Sequence, residues 1–180
     1  MIRRLVAAAL GAAALLVLPA LPAVADGYVV DAHGGLHPFD GAPAVVGEGW
    51  WPTQDLARGV VLADDGPGGW VLHADGGLHE FGGAPAVIGG LWRPGYDFAR
   101  AVVVNDDGPG GWVAAADCSV WPFGGAPQMS PGVACDGFGP VDAVRGIALA
   151  DDGPGGWLLD SGGSLLAVGG APPVGSSLRC

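Results

Sequence analysis

Seven residues, Asp64-Asp65-Gly66-Pro67-Gly68-Gly69-Trp70, return unchanged at 106–112 and at 151–157. Each copy stands between two short apolar runs, so the unit reads as a turn joining two strands. Self-similarity of this kind constrains the fold more than any local propensity does. Aligned on the aromatic residue, the chain has four phases, at Tyr28, Trp70, Trp112 and Trp157, separated by 42, 42 and 45 residues. Behind each aromatic comes an apolar strand and a second turn: His33-Gly34-Gly35, Asp75-Gly76-Gly77, Asp117-Cys118-Ser119 and Ser161-Gly162-Gly163. Glycine accepts the positive φ such hairpin turns need. The return strand carries Phe39, Phe81, Phe123 or Val168 and stops at a Gly-Ala-Pro, whose proline removes a ladder donor.

A linker then leads to Asp55-Leu56-Ala57-Arg58, matched by Asp97-Phe98-Ala99-Arg100 and Asp142-Ala143-Val144-Arg145, each opening another apolar run. The pattern predicts strands near 28–32, 35–39, 58–63, 70–74, 77–81, 100–104, 112–116, 119–123, 145–150, 157–160 and 164–168, with a short fourth strand per repeat around 44–46 and 86–88. Outside the N-terminal segment no stretch carries a helical period. Repeats of about 40–45 residues with three or four strands and a phased aromatic are the pattern of propeller blades. The expectation is an all-β domain of four propeller-like repeats, a small or incomplete β-propeller, at about 26–47, 48–89, 90–131 and 132–180. A β-trefoil is the alternative, because the Asp-Asp turn occurs three times. The first repeat lacks the Asp-x-x-Arg strand, so one sheet edge is expected to be open to another chain.

The N-terminus sets the compartment. Arg3 and Arg4 precede an Ala/Leu/Val run, and Ala23-Val24-Ala25 makes a small-residue cleavage site, so residues 1–25 read as a secretory signal peptide and residues 26–180 as an extracellular chain. Removal of Arg3 and Arg4 leaves five arginines against 18 acids, a formal net charge of −13 with no lysine. Such a surface repels phosphate backbones and anionic lipid, which argues against nucleic acid and, after cleavage, against membrane partners. Three cysteines in an exported chain allow one disulfide. Cys118 and Cys135, both tied to the third repeat, form the expected pair; Cys180 remains for an intermolecular contact, so a homo-oligomer through Cys180 or the open edge is expected.

The joint pattern of Trp92-Arg93-Pro94-Gly95-Tyr96-Asp97-Phe98-Ala99-Arg100, then Asp-Asp-Gly-Pro-Gly-Gly-Trp, then Gly34-Gly35-Leu36-His37-Pro38-Phe39 resembles repeats in secreted actinobacterial proteins of largely unassigned function. The resemblance covers essentially all of residues 26–180. It implies a propeller-like β fold outside the cell and no particular reaction. The third repeat departs from it at Asp117-Cys118-Ser119 and in a linker three residues longer. The fourth loses the phased Phe and His.

Candidate chemistry is sparse. Asp64, Asp65, Asp106, Asp107, Asp151 and Asp152 are the weak candidates for Ca²⁺, set against the ordinary turn preference of Asp; no other cofactor is expected. His73 and His79 flank one hairpin, but no spacing places a third zinc ligand, and His37 merely shares the phase of His79; His33 stands alone. The Asp-x-x-Arg units recur three times, as packing residues do, and suit bidentate bracing of one repeat against its neighbour. No serine-hydrolase elbow, P-loop or Cys-x-x-Cys is present. A secreted hydrolase would need unphased loop acids, for which Glu48, Glu80 and Asp136 stand out. A cation-stabilised structural protein is a further alternative. The leading expectation is a non-enzymatic extracellular module that binds or displays a polysaccharide or protein. The phased aromatics are core candidates; the candidate ligand residues are those that break the repeat, Trp121 and Asp136 first, then Trp51 and Tyr96.

Overall fold

A computed structural model describes residues 27–45, 49–63, 68–106, 110–130, 142–151 and 155–174. The expected leader, most of the Asp-Asp turns, and Cys135, Asp136 and Cys180 lie outside these residues. No described helix is long and apolar enough to cross a membrane.

Among the described residues, eleven strands occupy the positions the repeat pattern predicts, with ends within about two residues. They are β1 (Gly27–Val30), β2 (Leu36–Phe39), β3 (Ala57–Leu62), β4 (Gly69–His73), β5 (Leu78–Phe81), β6 (Ala99–Val104), β7 (Gly111–Ala115), β8 (Val120–Phe123), β9 (Val144–Leu149), β10 (Gly156–Asp160) and β11 (Leu165–Val168). They form four antiparallel sheets: β1-β2, then β3-β4-β5, β6-β7-β8 and β9-β10-β11. The protein is all-β across the described residues. Among the described residues the first and fourth sheets are not hydrogen-bonded to each other, and β1 pairs with β2 alone.

The sheets follow one another face to face, with β3 against β6 and β6 against β9. A central strand therefore has protein on both faces. That is why Gly69–His73 and Gly111–Ala115 read as continuous apolar runs and are almost wholly buried. Glycine precedes the aromatic because a Cβ at Gly69 or Gly111 would collide with the carbonyl oxygen of Val61 or Val103.

The aromatic and the Gly-Ala-Pro recur together for a physical reason. Trp70, Trp112 and Trp157 donate their indole N–H to the carbonyls of Pro85, Pro127 and Pro172, at 2.9, 2.8 and 2.9 Å, and Tyr28 donates its hydroxyl to Pro43 at 2.8 Å. Every pair is 15 residues apart. A buried ring thus keeps its polar group satisfied.

The short fourth strand is not formed over 86–88. Pro85 has ended the ladder, and the linker crosses instead to the next repeat, where Gly89 bridges Phe123 and the amide of Gly124 donates to Ile88 at 3.1 Å.

The hairpins hold another difference. They are not two-residue turns: Gly76 donates to the His73 carbonyl and His73 to that of Gly77, at 2.9 and 2.8 Å, with Gly76 at φ 90°. The glycine is the left-handed residue following a type I turn. Gly34 and Gly163 play that part in the first and fourth repeats, and Cys118 does so in the third, at φ 64°. A side chain in that conformation costs about 1–2 kcal/mol. Cys118 is buried beneath the hairpin and is itself engaged. A Cys118–Cys135 bridge would contribute about 3 kcal/mol by loop closure. Cys118→Gly should therefore lose about 1–2 kcal/mol net. Unreduced peptide mapping should recover the 118–135 pair; a Cys135–Cys180 link or three free thiols would contradict it.

Candidate ligand surface

The Asp-x-x-Arg strands begin with a bulge. The register of β3 on β4 steps from Ala57↔His73 to Gly59↔Leu72, leaving Arg58 as the additional residue, and Arg100 and Arg145 occupy the same place in β6 and β9. A bulge re-aims a side chain. Here it turns the Arg58 and Arg100 guanidiniums toward the next repeat. Arg58 donates to Asp55 at 2.8 Å and to both oxygens of Asp97 at 3.2 and 2.8 Å. Arg100 donates to Asp97 at 2.7 Å and to Asp142 at 2.5 Å, and Arg145 pairs with Asp142 at 3.0 Å. The result is an alternating ladder, Asp55–Arg58–Asp97–Arg100–Asp142–Arg145, across three sheets. The hydrogen bond from Arg58, then the nearby cations, hold the Asp97 carboxyl below its ordinary value; Arg100 does the same for Asp142. These groups are consumed in bracing.

One oxygen of the Asp31 and Asp160 hairpin carboxylates is occupied with backbone, while Oδ2 of Asp160 is buried without a hydrogen-bond partner among the described residues. Asp31 accepts from the amides of His33 and Gly35 at 2.8 and 3.0 Å, and Asp160 from those of Gly162 and Ser164 at 2.8 and 2.7 Å. His37 lies 2.9 Å from Asp31, and this contact, followed by the two amides, lowers the Asp31 carboxyl. His73 and His79 do not converge on a vacant ligand position. Their rings are 5.7 Å apart, and Trp51 packs edge-on to both, at 4.6 and 4.9 Å. Among the described residues no group of three His, Cys, Asp or Glu side chains is arranged to hold a metal. Asp106 and Asp151 are exposed, on either side of a cleft of about 580 Å³ between the third and fourth sheets. Asp64, Asp65, Asp107 and Asp152 lie outside the described residues, as does Glu48. Glu80 is exposed on β5, opposite Trp70.

Two candidates that break the repeat turn out to be halves of one recurring contact. Linker position 51 packs on hairpin position 79 as Trp51 on His79. One repeat later the same positions hold Arg93 and Trp121, with the guanidinium 5.8 Å from the indole and 4.7 Å from the Phe98 ring. Trp51 is half-buried there. Trp121 keeps 37% of its surface exposed and donates its indole N–H to Ser119 at 2.8 Å.

The most exposed rings are elsewhere. Trp50 is 66% and Trp92 71% exposed, at one phase of successive linkers, and Tyr96 stands out from the Trp92 linker on a turn closed by its amide to the Arg93 carbonyl at 3.1 Å. A hollow of about 350 Å³ lies beside Trp92, floored by Gly76, Gly77, Leu78 and His79. Their shared phase makes Trp50 and Trp92 read as packing residues in the sequence. The signal against it is local: each sits in a linker two residues before a proline, Gly49-Trp50-Trp51-Pro52 and Leu91-Trp92-Arg93-Pro94, where no strand ladder can bury it.

No protein-family model, curated protein sequence or solved structure matches the chain.

Proposed function

We propose that the chain is a non-enzymatic extracellular module of propeller-like repeats that holds a neutral polysaccharide on the exposed rings of Trp50, Trp92 and Tyr96. The observation that carries this reading is recurrence without burial. Tyr28, Trp70 and Trp112 recur because each repeat must fill its junction with the next; Trp50 and Trp92 recur while leaving most of their surface in water. Exposed aromatic faces suit the apolar faces of sugar rings, and repeated ones suit a repeating polymer. Trp121 adds a further ring edge near Arg93, and Asp136 in the adjoining linker would accept hydrogen bonds from sugar hydroxyls. The acidic balance disfavours polyanionic glycans. The signal-like N-terminus and the resemblance to secreted repeats support the location.

Native electrophoresis in gels containing hydroxyethylcellulose, xylan or soluble arabinogalactan tests the proposal. Retardation by at least one polymer is expected, with loss of retardation in Trp92→Ala and no change in melting temperature. Retention of a protein partner but of no glycan would overturn the polysaccharide assignment, and a Trp92→Ala variant that melts early would show the ring to be structural.

A further inference from the structure

The three junctions between repeats share one construction, and it is directional. Tyr28, Val30, Leu36 and Val45 of the first repeat pack with Ala57, Val71 and Phe81 of the second. Leu72, Leu78 and Val87 meet Ala99, Val113 and Phe123. Trp112, Ala114, Val120 and Met129 meet Val144, Leu158 and Val168. Ring contacts repeat with them, Tyr28 on Phe81 at 5.5 Å and Trp70 by Phe123 at 6.5 Å. Every repeat thus has a forward face and a different rear face that fits it.

Among the described residues one face of each kind is left over. The forward face of the fourth repeat presents Trp157, Leu159, Leu165 and Val174; Leu159 is 39% exposed at the position where Leu72 and Ala114 are fully buried. The rear face of the first repeat presents Val29, 59% exposed where Val71, Val113 and Leu158 are fully buried. It also presents Phe39, which the phase marks as core but which is exposed because no described repeat faces it, unlike Phe81 and Phe123.

We propose that the forward face of the fourth repeat docks on the rear face of the first repeat of a second copy of this chain, head to tail. The contact continues the internal junction, with Trp157 against Phe39 of the second copy and Leu159 against its Val29. The occupant is a second copy because both halves of the fit are built into one chain. Such a heterologous contact closes into a ring or propagates as its rotation dictates.

Sedimentation equilibrium of the full chain, expressed with its N-terminal segment so that processing runs naturally and with thiols alkylated to remove Cys180, tests this. Wild type should associate with rising concentration. Val29→Glu and Leu159→Glu should each be monomeric with unchanged melting temperature, Val29→Ser and Leu159→Ser replacing them if the charge lowers it. A mixture of the two single variants should form a 1:1 dimer that grows no further, since each retains the face the other lacks. A wild type that stays monomeric to millimolar concentration, variants that associate like wild type, or a mixture that stays monomeric would overturn the proposal.

Discussion

Trp112→Ala is expected to destabilise the protein by about 3–5 kcal/mol, the usual cost of emptying a large buried aromatic site. Trp112 is almost wholly buried between the third and fourth sheets, where it packs with Met129, Val144, Leu158 and Val168. Its indole N–H also satisfies the Pro127 carbonyl at 2.8 Å. The second loss can be measured alone, because Trp112→Phe keeps most of the apolar volume and leaves that carbonyl without its donor, for about 1 kcal/mol. Trp157→Ala is the internal control. It removes the same residue from the same phase, but on a face that no described repeat covers, so its cost should be well below that of Trp112→Ala. Urea denaturation of the three variants checks the order; equal losses at 112 and 157 would contradict repeat-to-repeat packing as the reason for the phase.

Asp97→Ala should cost about 2 kcal/mol. The carboxylate serves two arginines at once, and hydrogen bonds to charged groups contribute roughly 1.5–3 kcal/mol each before the discount that half-exposed ion pairs require. Both guanidiniums are largely buried, so neither recovers full hydration when the partner goes. Asp55→Ala, at the exposed end of the ladder with Arg58 alone to lose, should cost less than about 0.5 kcal/mol. The pH dependence has a definite sign. Asp97 and Asp142 are held below the ordinary 3.8 in the folded state, so the folded protein binds fewer protons than the unfolded chain around that pH. The ladder's contribution is therefore complete above the unfolded value and is lost as pH falls through the lowered ones. Melts should show wild type losing stability below about pH 4 and Asp97→Ala losing less over the same range.

Much of this was legible in the sequence, and the limits were physical. Strand positions followed from phased glycines and prolines because those residues act locally, through φ and through missing donors. The bracing role of Asp-x-x-Arg followed from its recurrence. The bulge that aims Arg58 did not, since a one-residue register step leaves no mark on composition. Nor did the exchange of Trp51–His79 for Arg93–Trp121: each residue looks anomalous in its own repeat, and the pairing emerges only when linker and hairpin of successive repeats are brought together. The constant 15-residue spacing from aromatic to proline was available, but only folding shows that the proline carbonyl, and not merely its missing N–H, is what the ring requires. Exposure of Trp50 and Trp92 was the hardest to read, because phase alone does not distinguish a residue repeated for packing from one repeated for use.

Affinity as a function of oligosaccharide length separates a ring repeated for packing from one repeated for use. The probe is a length series cut from whichever gel polymer retards the protein, titrated against wild type and Trp50→Ala. On the proposed reading two rings at one phase of adjacent repeats are linked subsites, so wild-type affinity should rise sharply once an oligomer is long enough to span both. In Trp50→Ala the rise should vanish while short oligomers bind as before and the melting temperature holds. The same length dependence in both proteins would show that Trp50 is no part of a binding surface.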